Sequence, residues 1–246
     1  MRPLLFAGLA AFALGGCAHR PAVVSPVECA SARTEAGRLH DLWQDQHLTG
    51  TAQVTARDGL LRSRANLTIA MAPPDRLRLE VSDDFGQSRL LAVVSGTSVA
   101  FWTPGDGWVT GVPAAAALPL PPAVWPHLPR LLLGMTCRDP ACSRPRTRAD
   151  DDTLLLTCGH EPARWQWHPR SRRVVGALLP PLRVSYLDSE RVNGLHPPDL
   201  DVVLGEGRSL ALRWQQFRFD RDLPSDLFQP PHPKTAPTTA PSAERP

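Results

Sequence analysis

The sequence predicts an α+β fold dominated by one strongly curved antiparallel sheet, an open half-barrel of about eleven strands whose mouth is covered by helices. Three observations predict it. Apolar and polar residues alternate with a period of two over most of the chain. Turn-forming dipeptides separate these alternating runs. Prolines number 27 among 246 residues, which disfavours long helices.

The N-terminus has the pattern of a secretory signal. Arg2 is followed by the uncharged apolar run 4–14 and by Gly15-Gly16-Cys17. A cysteine directly after small residues resembles the signal of bacterial lipoproteins, which implies that Cys17 is acylated and becomes the mature N-terminus. The run is too short to span a bilayer, so the sequence predicts an anchored protein. Ala18, where aspartate would signal inner-membrane retention in enteric bacteria, favours the outer membrane.

Composition and the positions of proline-rich stretches predict one folded domain between two irregular ends. We expect a signal peptide over 1–16, a lipidated tether over 17–28, the domain over 29–228 and a proline-rich tail over 229–246. The formal net charge of +3 is too small to indicate a nucleic-acid partner.

The remaining four cysteines predict disulfides, because a secreted protein reaches an oxidising compartment. They are Cys29, Cys137, Cys142 and Cys158. Their order leaves three pairings open. Zinc bound by the last three with His160 is an alternative with loosely suitable spacing, and free buried thiols are another.

The folded region begins with a predicted helix over 31–46, whose apolar stripe is Ala32, Ala36, Leu39 and Trp43. An alternating hairpin over 48–71 follows, turning at Asp58-Gly59. Further strands are predicted near 77–81, 88–94, 98–103 and 108, and then over 153–158, 163–168, 172–178, 182–188, 199–204 and 209–219. Between these two groups we expect a short helix over 123–134, carrying Val124, Leu128, Leu131 and Leu132, and a polar loop over 137–152.

The inward faces of the first hairpin are apolar but small. Gly50, Ala52, Ala56, Ser63 and Ala65 share the side predicted to face the core. Small residues leave space, so a cavity for an apolar ligand and a core filled by the helices are both compatible with the pattern.

Several segments, taken together in their order and spacing, resemble the LolA/LolB family of lipoprotein-localisation proteins. The resemblance starts from the segment 75–86, a basic strand with alternating leucines that ends in Asp84-Phe85-Gly86. It continues through Leu118-Pro119-Leu120, the Leu131–Gly134 run and the strand over 207–214, and it covers about residues 30–228. Phenylalanine instead of leucine at position 85, the extra cysteines and the proline-rich tail depart from the family pattern.

The resemblance implies a half-closed barrel whose apolar cavity takes the acyl chains of lipoproteins or of another lipid. It also implies an exposed apolar residue in the loop after the third strand, where Asp84, Phe85 and Gly86 lie, and a periplasmic LolA-like carrier as a partner. The candidate cavity-lining residues are Ala52, Val54, Ala65, Leu67, Leu77, Leu79, Val81, Leu212 and Trp214.

The sequence contains no recognisable enzyme motif. Gly-x-Ser-x-Gly, phosphate-loop and His-Glu-x-x-His patterns are absent from it. We therefore expect no enzyme activity, catalytic residue, metal or cofactor. Two functions remain: an acyl-chain-binding lipoprotein at the outer membrane with its domain in the periplasm, or a non-catalytic structural or interaction lipoprotein that uses the same fold in an envelope complex.

Overall fold

The computed structural model describes residues 25–110, 120–143, 153–187, 196–205, 207–220 and 222–230. The predicted signal peptide, Cys17, the tether up to residue 24 and the tail from residue 231 lie outside these residues. The domain boundaries predicted from the sequence therefore stay predictions.

The described residues form two α-helices, thirteen strands and two short 3₁₀ helices, the second of which is Ser225–Phe228. The helices are α1 (Pro26–Gln44) and α2 (Leu128–Leu133), and a 3₁₀ helix (Pro122–His127) runs directly into α2. The strands are β1 (His47–Asp58), β2 (Leu61–Ala72), β3 (Arg76–Ser82), β4 (Ser88–Ser95), β5 (Ser98–Thr103), β6 (Gly107–Thr110), β7 (Ala141–Ser143), β8 (Leu154–Thr157), β9 (Arg164–His168), β10 (Arg173–Leu179), β11 (Leu182–Leu187), β12 (Asp199–Gly205) and β13 (Arg208–Asp220).

The predicted fold class is confirmed: the strands form one open antiparallel sheet with helices on its inner side. Its order is β6-β5-β4-β3-β2-β1-β13-β12-β11-β10-β9-β8-β7. The strand number of about eleven was too low. The short β7 lies inside the segment 137–152, which was predicted to be a polar loop, because Ala141-Cys142-Ser143 is too brief to show alternation.

The sheet consists of two meanders, the first formed by β1–β6 and the second by β7–β13, which meet where β1 pairs with β13. Twelve residue pairs join these strands, from His47 opposite Asp220 to Asp58 opposite Arg208, with a bulge between Thr51 and Ala52. Just before this bulge, a Cβ on Gly50 would lie 2.5 Å from the carbonyl oxygen of Gln216. Only glycine fits this approach without displacing the backbone, and a bulge also bends its strand. The join is therefore one place where the sheet curves.

Helix α1 packs its predicted stripe into the core. Ala32, Ala36, Leu39 and Trp43 are buried, and the Trp43 ring lies 5.8 Å from the ring of Phe219 on β13. The helix starts at Pro26 rather than at residue 31, because proline is well tolerated in a first helical turn.

The four cysteines form two disulfides. Cys29 of α1 pairs with Cys142 of β7, and Cys137 pairs with Cys158. The first bond ties α1 to the edge strand, and the second ties the segment after α2 to the end of β8. The pairing leaves none of these four thiols for the zinc site that the spacing had left open.

The C-terminal residues of the described chain cross the outer face of the sheet. Phe228 is buried against Ala70 and Ala72 of β2, and the guanidinium of Arg76 lies 5.3 Å from the centre of its ring. Arg78 donates a hydrogen bond to the carbonyl oxygen of Leu227 at 3.3 Å. This part of the convex face is therefore covered by the chain itself. Among the described helices, none combines the length and the apolar character that crossing a bilayer requires.

The two disulfides should contribute unequally to stability. Cys29 and Cys142 are separated by 113 residues and Cys137 and Cys158 by 21, which corresponds to about 5 and about 3 kcal/mol in the chain-entropy account. We expect Cys29→Ala/Cys142→Ala to lower the free energy of unfolding more than Cys137→Ala/Cys158→Ala does, measured by chemical denaturation. Peptide mapping of the unreduced protein checks the pairing itself. Free thiols at these positions, or other pairs, would contradict it.

Candidate functional site

An apolar cavity of about 300 Å³ lies between the concave face of the sheet and the central segment, residues 120–134, which contains the first 3₁₀ helix and α2. Its volume falls at the lower end of the range for ligand sites. Apart from Ser63 and Arg64, every lining residue is apolar. The sheet contributes Val54, Ala56, Ser63, Arg64, Ala65, Leu67, Leu79, Val81, Leu90, Leu182, Val184, Leu200, Val202, Leu210 and Leu212, and the central segment contributes Leu120, Val124, Trp125, Leu128, Leu131 and Leu132.

The cavity exists because small residues face large ones across it. Ala56 and Ser63 are register partners on β1 and β2, and Val54 is opposite Ala65 in the same hairpin. These short side chains fill little of the space beneath the central segment. Deeper on the same faces, Ile69 and Met71 are completely buried, so the core closes beneath the cavity.

The central segment is held in place by contacts to the second meander. The Tyr186 hydroxyl donates a hydrogen bond of 2.9 Å to the carbonyl oxygen of Leu131, and Arg130 forms an ion pair with Glu161. Gly134 ends α2 with φ of +63°, a left-handed conformation that favours glycine. The segment is therefore fixed at its C-terminal end, close to the Cys137–Cys158 disulfide.

Two polar groups of the central segment are partly or wholly removed from water. Trp125 packs edge-on against Phe101, with ring centres 4.8 Å apart. Trp125 lines the cavity, and its buried indole Nε1 has no hydrogen-bond partner among the described residues. Burial lowers the pKa of His127, so this imidazole favours its neutral form.

Six of the nine predicted lining residues line the cavity: Val54, Ala65, Leu67, Leu79, Val81 and Leu212. Ala52 and Leu77 are fully buried in the core instead. Trp214 packs against the same core, and its Nε1 donates to the carbonyl oxygen of Pro198 at 3.1 Å. Alternation predicts the face on which a side chain lies but not its position along the strand. On β1 and β2 the cavity occupies only the part of the concave face that is nearer the β1–β2 turn.

The sequence prediction omitted the lining residues of β11, β12 and the central segment. The alternation of Leu182, Val184 and Tyr186 on β11 was a usable signal. Within the central segment, Val124, Leu128, Leu131 and Leu132 were recognised as the apolar side of a helix. The packing of that helix over the sheet depends on contacts distant in sequence, which the pattern does not contain.

The turn between β3 and β4 presents Phe85 to solvent, with 89% of its surface exposed. Asp83 organises the turn: its Oδ1 accepts hydrogen bonds of 2.9 Å from the backbone N–H groups of Phe85 and Gln87, and its Oδ2 contacts Arg89 at 2.6 Å. These interactions, chiefly the one with Gln87, lower the pKa of Asp83. Gly86 provides the positive φ of the turn, +75°. Phe85 is thus an exposed aromatic residue on an ordered turn.

Comparison with known proteins identifies the fold. No family model matches the chain, and no curated protein matches it. Similar solved structures include a LolA superfamily protein from Nitrosomonas europaea (10% identity, TM-score 0.55, covering 82% of this chain and 97% of the other), a DUF1329 family protein from Desulfovibrio piger (11%, 0.59, 82% and 97%), and an outer membrane lipoprotein-sorting protein domain from Vibrio parahaemolyticus (10%, 0.53, 82% and 95%).

The protein therefore has the fold of the LolA/LolB superfamily, and the resemblance seen in the sequence is confirmed at the level of the fold. At this sequence identity the similarity concerns architecture. The function has to be argued from the cavity and the surface of this chain.

Proposed function

We propose that this protein is a lipid-anchored envelope protein that holds acyl chains in its apolar cavity and acts in lipoprotein reception or transfer at the outer membrane. Its anchor is the acylated Cys17, its folded domain lies in the periplasm, and its cargo is the acyl part of a lipoprotein or of another lipid. A periplasmic carrier of the same fold is the proposed donor. No catalytic step is part of this function.

The cavity is the observation that carries the proposal. Nineteen of its 21 lining residues are apolar, so it suits a hydrocarbon chain and offers little to a charged or strongly hydrated ligand. The unfilled space lowers the stability of the ligand-free protein, because an empty apolar cavity lacks packing contacts. An acyl chain would restore those contacts.

The cavity also separates this proposal from the structural alternative. A protein that only supports an envelope complex gains nothing from an empty interior, since a filled core is more stable. The small residues Ala56, Ser63 and Ala65 keep the interior open where larger apolar residues would close it. Binding of an acyl chain is therefore the measurement that distinguishes the two functions.

Phe85 is proposed to assist the transfer by contacting a membrane or the acyl cargo. A large exposed apolar side chain is unfavourable in water unless something covers it. The hydrogen bonds of Asp83 hold its turn in shape without using the ring, so the ring is available for another surface. Burial of the ring would recover about 1.5–3 kcal/mol.

Filling the cavity should abolish acyl-chain binding. In the full chain carrying Cys17→Ala, which removes the protein's own acyl groups, we expect Ala65→Trp to weaken palmitate binding by about tenfold or more. Equilibrium dialysis with radiolabelled palmitate measures this. Asn66→Trp, on the next residue of β2 and the opposite face, is the matched control and should bind as the parent does. Absence of palmitate binding in the parent, or equal binding by the Ala65→Trp variant, would refute the cavity's role.

Replacing Phe85 by a charged residue should separate function from stability. Because the ring is 89% exposed, Phe85→Glu should leave the melting temperature nearly unchanged. Transfer of bound palmitate to liposomes should fall by about tenfold or more, given the apolar contribution lost. Phe85→Leu is the conservative control and should retain transfer. A large loss of stability, or full transfer by the glutamate variant, would remove Phe85 from the mechanism.

The anchor can be tested on the mature N-terminus. Mass spectrometry of the protein from membranes should show a diacylated or triacylated cysteine at position 17, and Cys17→Ser should lack the lipid. An unmodified N-terminus at another residue would show that the chain is not a lipoprotein.

A further inference from the structure

The β1–β2 hairpin carries a second exposed apolar group, independent of Phe85. Leu60 is fully exposed and Leu61 is 78% exposed at its tip. β3 pairs with β2 only from Asn66 onward, so residues 61–65 project beyond β3, by about 17 Å at strand rise. On the other side β1 stays paired with β13 as far as Asp58 opposite Arg208, so the hairpin extends beyond β3 but not beyond β13. Two adjacent leucines at its tip are costly in water unless another phase receives them.

Arginines stand directly behind this apolar tip. Arg57 and Arg62 are register partners on the two strands, and Arg64 follows on β2. All three are exposed, and none has an ion-pair partner among the described residues. Like charges directly opposite one another destabilise a strand pair. The pair Arg57–Arg62 is therefore unfavourable in charge, and among the described residues no carboxylate forms an ion pair with it.

Other arginines of the same sheet form ion pairs with carboxylates. Arg89 contacts Asp83 at 2.6 Å, and Arg213 contacts Asp201 at 2.6 Å on the convex face next to this hairpin. Arg57 and Arg62 line a convex-face groove of about 480 Å³ together with Arg213 and its partner Asp201. Within the hairpin segment 57–64, three arginines stand against the single acidic residue Asp58. The hairpin thus offers a net positive charge at its tip.

We propose that the hairpin tip, defined as Leu60 and Leu61 with Arg57, Arg62 and Arg64, docks on an anionic bilayer surface. The leucines enter the boundary between headgroups and acyl chains, and the arginines, one to four residues away, lie at the level of the lipid phosphates. Apolar tips backed by guanidinium groups match the layered chemistry of a membrane interface. A water-soluble acidic protein would satisfy the arginines but would leave the projecting leucines without a hydrocarbon phase.

This docking orients the cavity toward the membrane. Leu61 lies on the same strand face as Ser63, Ala65 and Leu67, which line the cavity. The hairpin therefore provides a continuous face from the bilayer to the cavity. The inference does not rest on the cavity being filled by acyl chains, because vesicle binding is measured without cargo.

Vesicle flotation of the full chain carrying Cys17→Ala tests the proposal. The N-terminal segment is then the same in every variant, so differences between variants report on the hairpin. We expect the parent to bind phosphatidylcholine vesicles containing phosphatidylglycerol more tightly than pure phosphatidylcholine vesicles, with binding that weakens as salt rises. Arg62→Gln/Arg64→Gln should reduce binding to the anionic vesicles by at least about tenfold, at the energies known for basic residues at such surfaces. Leu60→Ser/Leu61→Ser should reduce binding to both vesicle types.

Two controls lie at the opposite ends of the strands. Arg172→Gln is in the β9–β10 turn and Leu187→Ser is at the end of β11, and both residues are exposed. Each should bind as the parent does, and all variants should keep the parent's melting temperature. Equal binding of the parent to both vesicle types, unchanged binding of the hairpin variants, or an equal loss in the controls would overturn the proposal. Loss of palmitate binding would leave it standing.

Discussion

The ladder between β1 and β13 is the interaction on which the rest of the structure depends. It joins the first and last of the described strands, and it is the connection through which the two meanders become one sheet. Strands distant in sequence pair slowly, since a long loop must close before the contact forms. The cavity spans this join: Val54 and Ala56 come from one side, Leu210 and Leu212 from the other. Without the ladder neither half has a concave face deep enough to enclose a ligand.

The concave side of the sheet is partly filled by a packed core and partly left open as the cavity. Below the cavity, large side chains from both meanders, α1 and the central segment form a continuous buried cluster. Toward the mouth, alanine and serine replace them on the first hairpin. The first hairpin thus forgoes packing near the mouth, where its small residues leave the space of the cavity. A division of this kind is expected wherever a binding site forgoes packing.

Local patterns accounted for most of the fold. The alternation of the β1–β2 hairpin predicted the two faces of its strands, because a shift by one residue would turn the apolar face to solvent. The turn predicted at Asp58-Gly59 lies one residue later, since Asp58 pairs with Leu61 and the two-residue loop is Gly59-Leu60. The edge strand β7 was missed because it is three residues long. The cysteine pairing was undetermined, since Cys29 and Cys142 meet only after α1 and β7 have packed. For the same reason the sequence indicated the concave face but not which of its residues, such as Leu79 rather than Leu77, border the cavity.

The crossing of the convex face by the C-terminal segment has a topological consequence. Phe228 seals the outer side of β2 near Ala72, at the strand ends remote from the projecting β1–β2 hairpin. The chain therefore leaves the described fold at Pro230 on the back of the sheet, away from the cavity. An addition joined at Pro230 therefore starts on the face opposite the opening, whereas a change in the β1–β2 hairpin would alter the opening directly. The convex face thus tolerates an added segment at this end of the described chain, whereas the concave face, which holds the cavity, does not tolerate changes of that kind.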